Sequence, residues 1–277
     1  MLYALTAIPL ALLAVMLYLG WRIGRRPSHR PDTERAPEGG SVLLCLGDSI
    51  THGALGGNWV ASLRARLAGE GRLVANGGIN GQQVWNIAQR LDPALECQPD
   101  MAVLLIGTND VMAAQRPDRA ALYAKQNRLP RMPDLDWSIA QLAALIPRLT
   151  AAVPRVALCT IPPLGDDDEH EITALVARYN EAVREQAARH GCVLMDVHGA
   201  VLPLLGPARR PYAGAPRDMF SLIGRTAAAH YLLGRSWDAI ARSMGFGATV
   251  DGIHLSDRAA ARVHDLVADF VQKAETT

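Results

Sequence analysis

Four short motifs in this chain gather residue types suited to acyl transfer. Gly47-Asp48-Ser49-Ile50-Thr51-His52-Gly53 presents a serine on a turn flanked by glycines. A hydroxyl is a poor nucleophile until a base takes its proton. Asp251-Gly252-Ile253-His254-Leu255-Ser256 supplies an imidazole and a carboxylate three positions apart. His254 would act as that base near neutral pH, and Asp251 would hold the other ring nitrogen and fix its tautomer. Gly107-Thr108-Asn109-Asp110 offers an amide donor for developing oxyanion charge, a contribution of ~3 kcal/mol in comparable settings. In Asn76-Gly77-Gly78-Ile79-Asn80-Gly81, glycine lets a backbone N–H approach a reacting oxygen closely.

Each motif also has a plainer reading. Gly-Asp-Ser and Asn-Asp are common in ordinary turns, NGGING could be only a flexible loop, and Ser256 suits the N-cap of a following helix. The order and setting of the four decide between these readings. The apolar runs 42–46, 72–76, 101–106, 155–161 and 192–197 have strand character. They alternate with helical patterns near 58–69, 83–96, 138–152, 171–190 and 256–272, the fourth striped by Ile172, Leu175, Val176, Tyr179 and Val183. Strands apolar throughout are buried on both faces, so the alternation predicts a three-layer α/β sandwich on a parallel five-stranded sheet. Three motifs follow the first three strands directly, where open α/β sheets bind their ligands.

Together the motifs resemble the SGNH (GDSL-like) hydrolases over roughly residues 41–272. The resemblance implies a flavodoxin-like sheet and ester hydrolysis through an acyl-enzyme on Ser49, with His254 as base and Asp251 as its orienter. It also implies an oxyanion hole built from the Ser49 and Gly81 N–H groups and the Asn109 side chain, and neither metal nor cofactor. The expected substrate is a lipid-derived or small acyl ester. A glycan O-acetylesterase or acyltransferase would use the same three residues, and a silent membrane-tethered binding module is the non-enzymatic alternative.

Two long stretches interrupt the rhythm. Residues 111–137 follow GTND, and 198–250 form an insertion in which Trp237, Ile240, Ala241 and Met244 recur at helical spacing. That helix could cap the site or simply pack on the core. The acidic run 166–169 with His170 is read as complementing the dipole of the next helix rather than as a metal site. His52 is read as a solvated loop histidine, Asp48 as ordering the turn at Ser49, and Asp110 and Asp196 as braces at strand ends.

Net charge is +1, which leaves no electrostatic footprint for nucleic acid. Four cysteines without a CxxC pair argue against redox and metal motifs. Residues 1–21 carry no charged side chain, enough apolar chain for a single-pass transmembrane helix, and a retained anchor fits them better than a cleaved signal. Arg22, Arg25, Arg26 and Arg30 follow it, so the positive-inside bias predicts a cytoplasmic catalytic domain. Residues 22–40, polar and rich in Pro and Gly from Pro27 onward, are expected to be a linker, with the hydrolase domain at 41–277.

Overall fold

The structure is a computed structural model describing residues 2–36, 38–167, 169–208, 210–212 and 214–273, with the side chains of 2–9 and 11 outside that description. Asp168 of the acidic run and residues 274–277 of the expected domain lie outside it too. Five strands form one sheet: β1 (Ser41–Gly47), β2 (Arg72–Gly78), β3 (Met101–Leu105), β4 (Arg155–Cys159) and β5 (Val193–Met195). Their order is β2-β1-β3-β4-β5, and every neighbouring pair is parallel.

Side-chain alternation explains the uniformly apolar runs. Val42, Leu44 and Leu46 of β1 enter one core with the helices Leu135–Ala152 and Glu171–His190. Leu43 and Cys45 enter a second core with the helices Trp59–Leu67 and Asp257–Gln272. β3 divides in the same way, Ala102 and Leu104 to the first core and Met101, Val103 and Leu105 to the second. Both faces of the central strands β1 and β3 are therefore dry, which gives the three-layer sandwich, while Val193 and Leu194 of the edge strand β5 stay exposed. The chain crosses from β1 to β2 and returns to β3 on the other side of β1. That reversal opens a crevice at the carboxyl ends of β1 and β3.

Several local expectations are corrected. The helix expected over 83–96 is two short helices, Val84–Gln89 and Leu91–Leu95. Pro93 lacks an N–H and its ring crowds the carbonyl four residues back, which favours a break here, although Pro147 is accommodated inside the helix Leu135–Ala152. The stretch 111–137 is not irregular: the helices Thr108–Gln115 and Pro117–Asn127 fill most of it. Within the insertion, Trp237–Met244 is helical as its spacing implied, and a further helix, Pro216–Tyr231, precedes it.

The N-terminal segment forms a 23-residue helix, Leu2–Gly24. Leu10, Leu12, Leu13, Met16, Leu17 and Trp21 on it are exposed. Among the described residues no helix is long and apolar enough to cross a membrane. The expected anchor at 1–21 draws on side chains outside the description, so its helix is present and its membrane crossing is unsupported. The polar segment after it is tied to the domain. The Asn76 N–H donates to the His29 carbonyl at 2.6 Å, Pro31 is buried, and Glu34 meets His29 at 2.7 Å and Arg64 at 3.6 Å.

Candidate active site

Ser49 opens a four-residue helix, Ser49–His52, at the end of β1. Asp48 caps it, its carboxylate accepting from the Ile50 N–H at 2.9 Å. Close packing demands glycine at residue 47, where a Cβ would strike the Thr51 side chain and the Leu105 carbonyl. The loop carrying His254 is a tight reversal, closed by Val250 N–H to His254 C=O and Ser256 N–H to Ala248 C=O, both at 2.8 Å. Gly57 N–H to Leu255 C=O and Gly165 N–H to Gly252 C=O, again at 2.8 Å, dock it onto the loops after β1 and β4.

The docking joins side chains 205 residues apart. His254 Nε2 lies 2.9 Å from Ser49 Oγ, and His254 Nδ1 lies 2.7 Å from Asp251 Oδ2. The other carboxylate oxygen of Asp251 accepts from the backbone N–H groups of His254 (2.8 Å) and Ile253 (3.1 Å). Both oxygens are thus committed, and the imidazole faces the serine with its acceptor nitrogen when Nδ1 carries the proton. Ser256 also caps the closing helix, accepting from Ala259 N–H, so the plainer reading of this motif holds alongside the chemical one.

Electrostatics suit the arrangement. Burial alone would lower the His254 pKa, but the Asp251 carboxylate, by charge and by hydrogen bond and with help from Asp48, outweighs it and raises the value above the ordinary 6.5. Burial likewise opposes ionisation of Asp251, yet the imidazole and the two backbone donors hold its pKa below the usual carboxylate range. Burial pushes Asp48 up to about 6 and Asp110 up to about 7.

Asn109 and Gly81 line the same cavity as Ser49 and His254, a space of about 330 Å³. Asn109 Nδ2 donates to the Gln82 carbonyl at 2.8 Å, and its Oδ1 accepts from the Tyr123 hydroxyl at 2.8 Å. A carbonyl can only accept, so the amide orientation is set, and one N–H remains for a ligand. Gly81 has φ +73°, a conformation open to glycine, and its carbonyl is held by Asn127 Nδ2 at 2.8 Å. Apolar side chains form most of the remaining wall, among them Leu55, Met112, Leu122, Met219, Phe220 and Ile223. Met219, Phe220 and Ile223 come from the helix Pro216–Tyr231, so part of the insertion covers the site.

Sequence reasoning missed several participants. Tyr123 carried no signal beyond an aromatic residue in an unassigned stretch. Arg90 joins the first two loops, its guanidinium donating to Gly77 O (2.7 Å), Gly47 O (3.3 Å) and Gln82 Oε1 (2.6 Å). His52 is buried rather than solvated, because the segment after the N-terminal helix covers it; its Nε2 meets the Arg25 carbonyl at 3.0 Å. Asp166 does not serve the helix dipole. It is buried and accepts from the N–H groups of Gly206 (2.6 Å) and Gly247 (2.5 Å), tying the insertion to the loop after β4. Asp110 accepts from the Val84 N–H at 3.2 Å and Asp196 from Thr160 Oγ1 at 2.9 Å, so both brace strand ends. Among the described residues, no three His, Cys, Asp or Glu side chains are grouped to hold a metal ion.

A serine, an imidazole and a carboxylate chained at the switch point of a parallel sheet form the arrangement of a serine hydrolase. Residues 45–262 match the GDSL-like Lipase/Acylhydrolase family, and the chain belongs to it. Among solved structures it is similar to Axe2, an acetylxylan esterase from Geobacillus stearothermophilus, with TM-score 0.54 and 20% identity over 83% of this chain and 94% of that one. It is also similar to LAE5, an alpha/beta hydrolase enzyme from the metagenome of Lake Arreo, Spain, with TM-score 0.54 and 22% identity over 86% and 96%. The acetyl xylan esterase AlAXEase aligns with TM-score 0.54 and 21% identity over 83% and 99%. Likenesses at these identities speak to the fold. A search of curated proteins found no match.

Proposed function

We propose that this protein hydrolyses carboxylic esters with an apolar acyl group through an acyl-enzyme on Ser49. The observation that carries the reading is the hydrogen-bonded chain Asp251–His254–Ser49 opening into an apolar cavity. His254 Nε2 takes the hydroxyl proton as Ser49 Oγ attacks the ester carbonyl. The oxyanion is held by the N–H groups of Ser49 and Gly81 and the free N–H of Asn109. Collapse expels the alcohol, which receives the proton from His254. Water then repeats the sequence on the acyl-enzyme and releases the acid.

A glycan O-acetylesterase is the second reading, motivated by the acetylxylan esterases among the structural neighbours. The lining of Leu55, Met112, Leu122, Met219 and Phe220 favours a longer acyl chain. The reading also includes anchoring through the helix Leu2–Gly24, with the catalytic domain on the cytoplasmic side. The exposed apolar side chains from Leu10 to Trp21 and the arginines that follow support it. Turnover of p-nitrophenyl esters from acetyl to palmitoyl tests the chemistry. Ser49→Ala is expected to abolish it with an unchanged circular dichroism spectrum; turnover surviving in that variant would remove the assignment. Protease protection in right-side-out vesicles tests the orientation, and ready digestion from outside would contradict it.

A further inference from the structure

The N-terminal helix does more than precede the domain. Gly20, Ile23 and Gly24, on its last turns, line the same cavity as Ser49 and His254. Positions 20 and 24 fall on one helix face, one turn apart. The helix end is fastened by the loops that carry the reacting groups. Asn80, next to Gly81, donates from Nδ2 to the Ile23 carbonyl at 2.8 Å. His52, in the short helix opened by Ser49, meets the Arg25 carbonyl at 3.0 Å. Leu19 and Ile23 pack against the insertion core containing Trp237 and Ile240, and the Arg22 guanidinium lies 4.4 Å from the Tyr231 ring centroid. One wall of the reaction chamber is therefore built from a segment outside residues 45–262, the span of the family match.

We propose that Gly20 and Gly24 are specificity-determining residues that set the length of acyl chain the site accepts. The inference rests on the acyl-enzyme reading above. An ideal Cβ at either position meets no atom within 4 Å, so nothing in the fold requires glycine there for want of room. Neither has the positive φ that would demand it. Glycine in a helix is less favourable than most residues, and here its absent side chain leaves the space beside Ser49 open. A leucine side chain built at either position would enter this 330 Å³ space and fill part of it. The chain of a bound acyl group would then lie against the helix, with its carbonyl at Ser49.

The test compares full-length wild type with Gly20→Leu and Gly24→Leu, in detergent micelles, on p-nitrophenyl acetate, butyrate, octanoate and decanoate. Leucine is a better helix former than glycine, so both variants are expected to fold. A single methylene in an apolar pocket changes kcat/KM by about 10- to 200-fold. The expected result is a fall of at least about tenfold in kcat/KM on octanoate and decanoate relative to kcat/KM on acetate. An unchanged chain-length profile would overturn the proposal. So would an equal loss at every length, which marks a purely structural helix, or a wild type confined to acetate. Failure of the wild type on every ester, in contrast, would overturn the acyl-enzyme reading itself.

Discussion

Tyr123→Phe isolates how Asn109, the proposed oxyanion donor, is aimed. The Tyr123 hydroxyl donates to Asn109 Oδ1 at 2.8 Å, and Asn109 Nδ2 meets the Gln82 carbonyl at 2.8 Å. Both side chains are buried, so the lost bond is not replaced by bulk water. A buried acceptor deprived of its donor costs about 1–3 kcal/mol, and an ordinary hydrogen bond contributes about 1 kcal/mol net. The Gln82 contact remains and limits how far the amide can swing. A loss of about 1–2 kcal/mol of transition-state stabilisation follows, or about 5- to 30-fold in kcat. Removing the donor outright, in Asn109→Ala, should cost about 10²- to 10³-fold. The assay is kcat at saturating p-nitrophenyl butyrate for wild type, both single variants and the double variant. Because Tyr123 acts through Asn109, its substitution should change kcat by less than about twofold once Asn109 is alanine. Full additivity, or an unaltered kcat in Tyr123→Phe alone, would refute the reasoning.

Two further outcomes follow from the same geometry. The proposed base, His254, must be neutral to accept the serine proton, and its pKa is raised above 6.5. The kcat/KM profile should therefore fall on the acid side through a midpoint above pH 6.5, and a profile flat down to pH 4 would contradict a histidine base. In Asp251→Asn, the backbone N–H groups of Ile253 and His254 retain the amide oxygen, so the NH₂ faces His254 Nδ1 and forces the proton to Nε2. Steady-state kinetics should show a loss on the order of 10⁴-fold in kcat, and a loss under tenfold would remove Asp251 from its role.

Much of this fold was legible because its signals are local. Val42–Leu46 and Met101–Leu105 are apolar without interruption because both faces of the sheet are covered, and that pattern alone implies parallel strands under helices. Ser49, Asn109 and Gly81 stand out because each follows a strand directly, where the sheet opens. What escaped notice depends on distant packing. Tyr123 and Arg90 matter only through the carbonyls and amides the fold brings to them. Nothing local tells that the Arg25 carbonyl meets the His52 ring, and the Pro and Gly composition of Pro27–Gly40 says nothing of the β2 amide that binds the His29 carbonyl. Proline alone does not tell a break from a continuous helix here: the chain breaks near Pro93 but runs on through Pro147.

Covalent capture tests the central claim most directly. The intact protein, treated with a fluorophosphonate probe and examined by peptide mass spectrometry, should carry a single phosphonyl adduct on Ser49, with labelling lost in Ser49→Ala and slowed in His254→Ala. A folded wild-type protein that takes no label, or takes it on another residue while Ser49→Ala still turns over esters, would contradict the assignment of Ser49 as nucleophile.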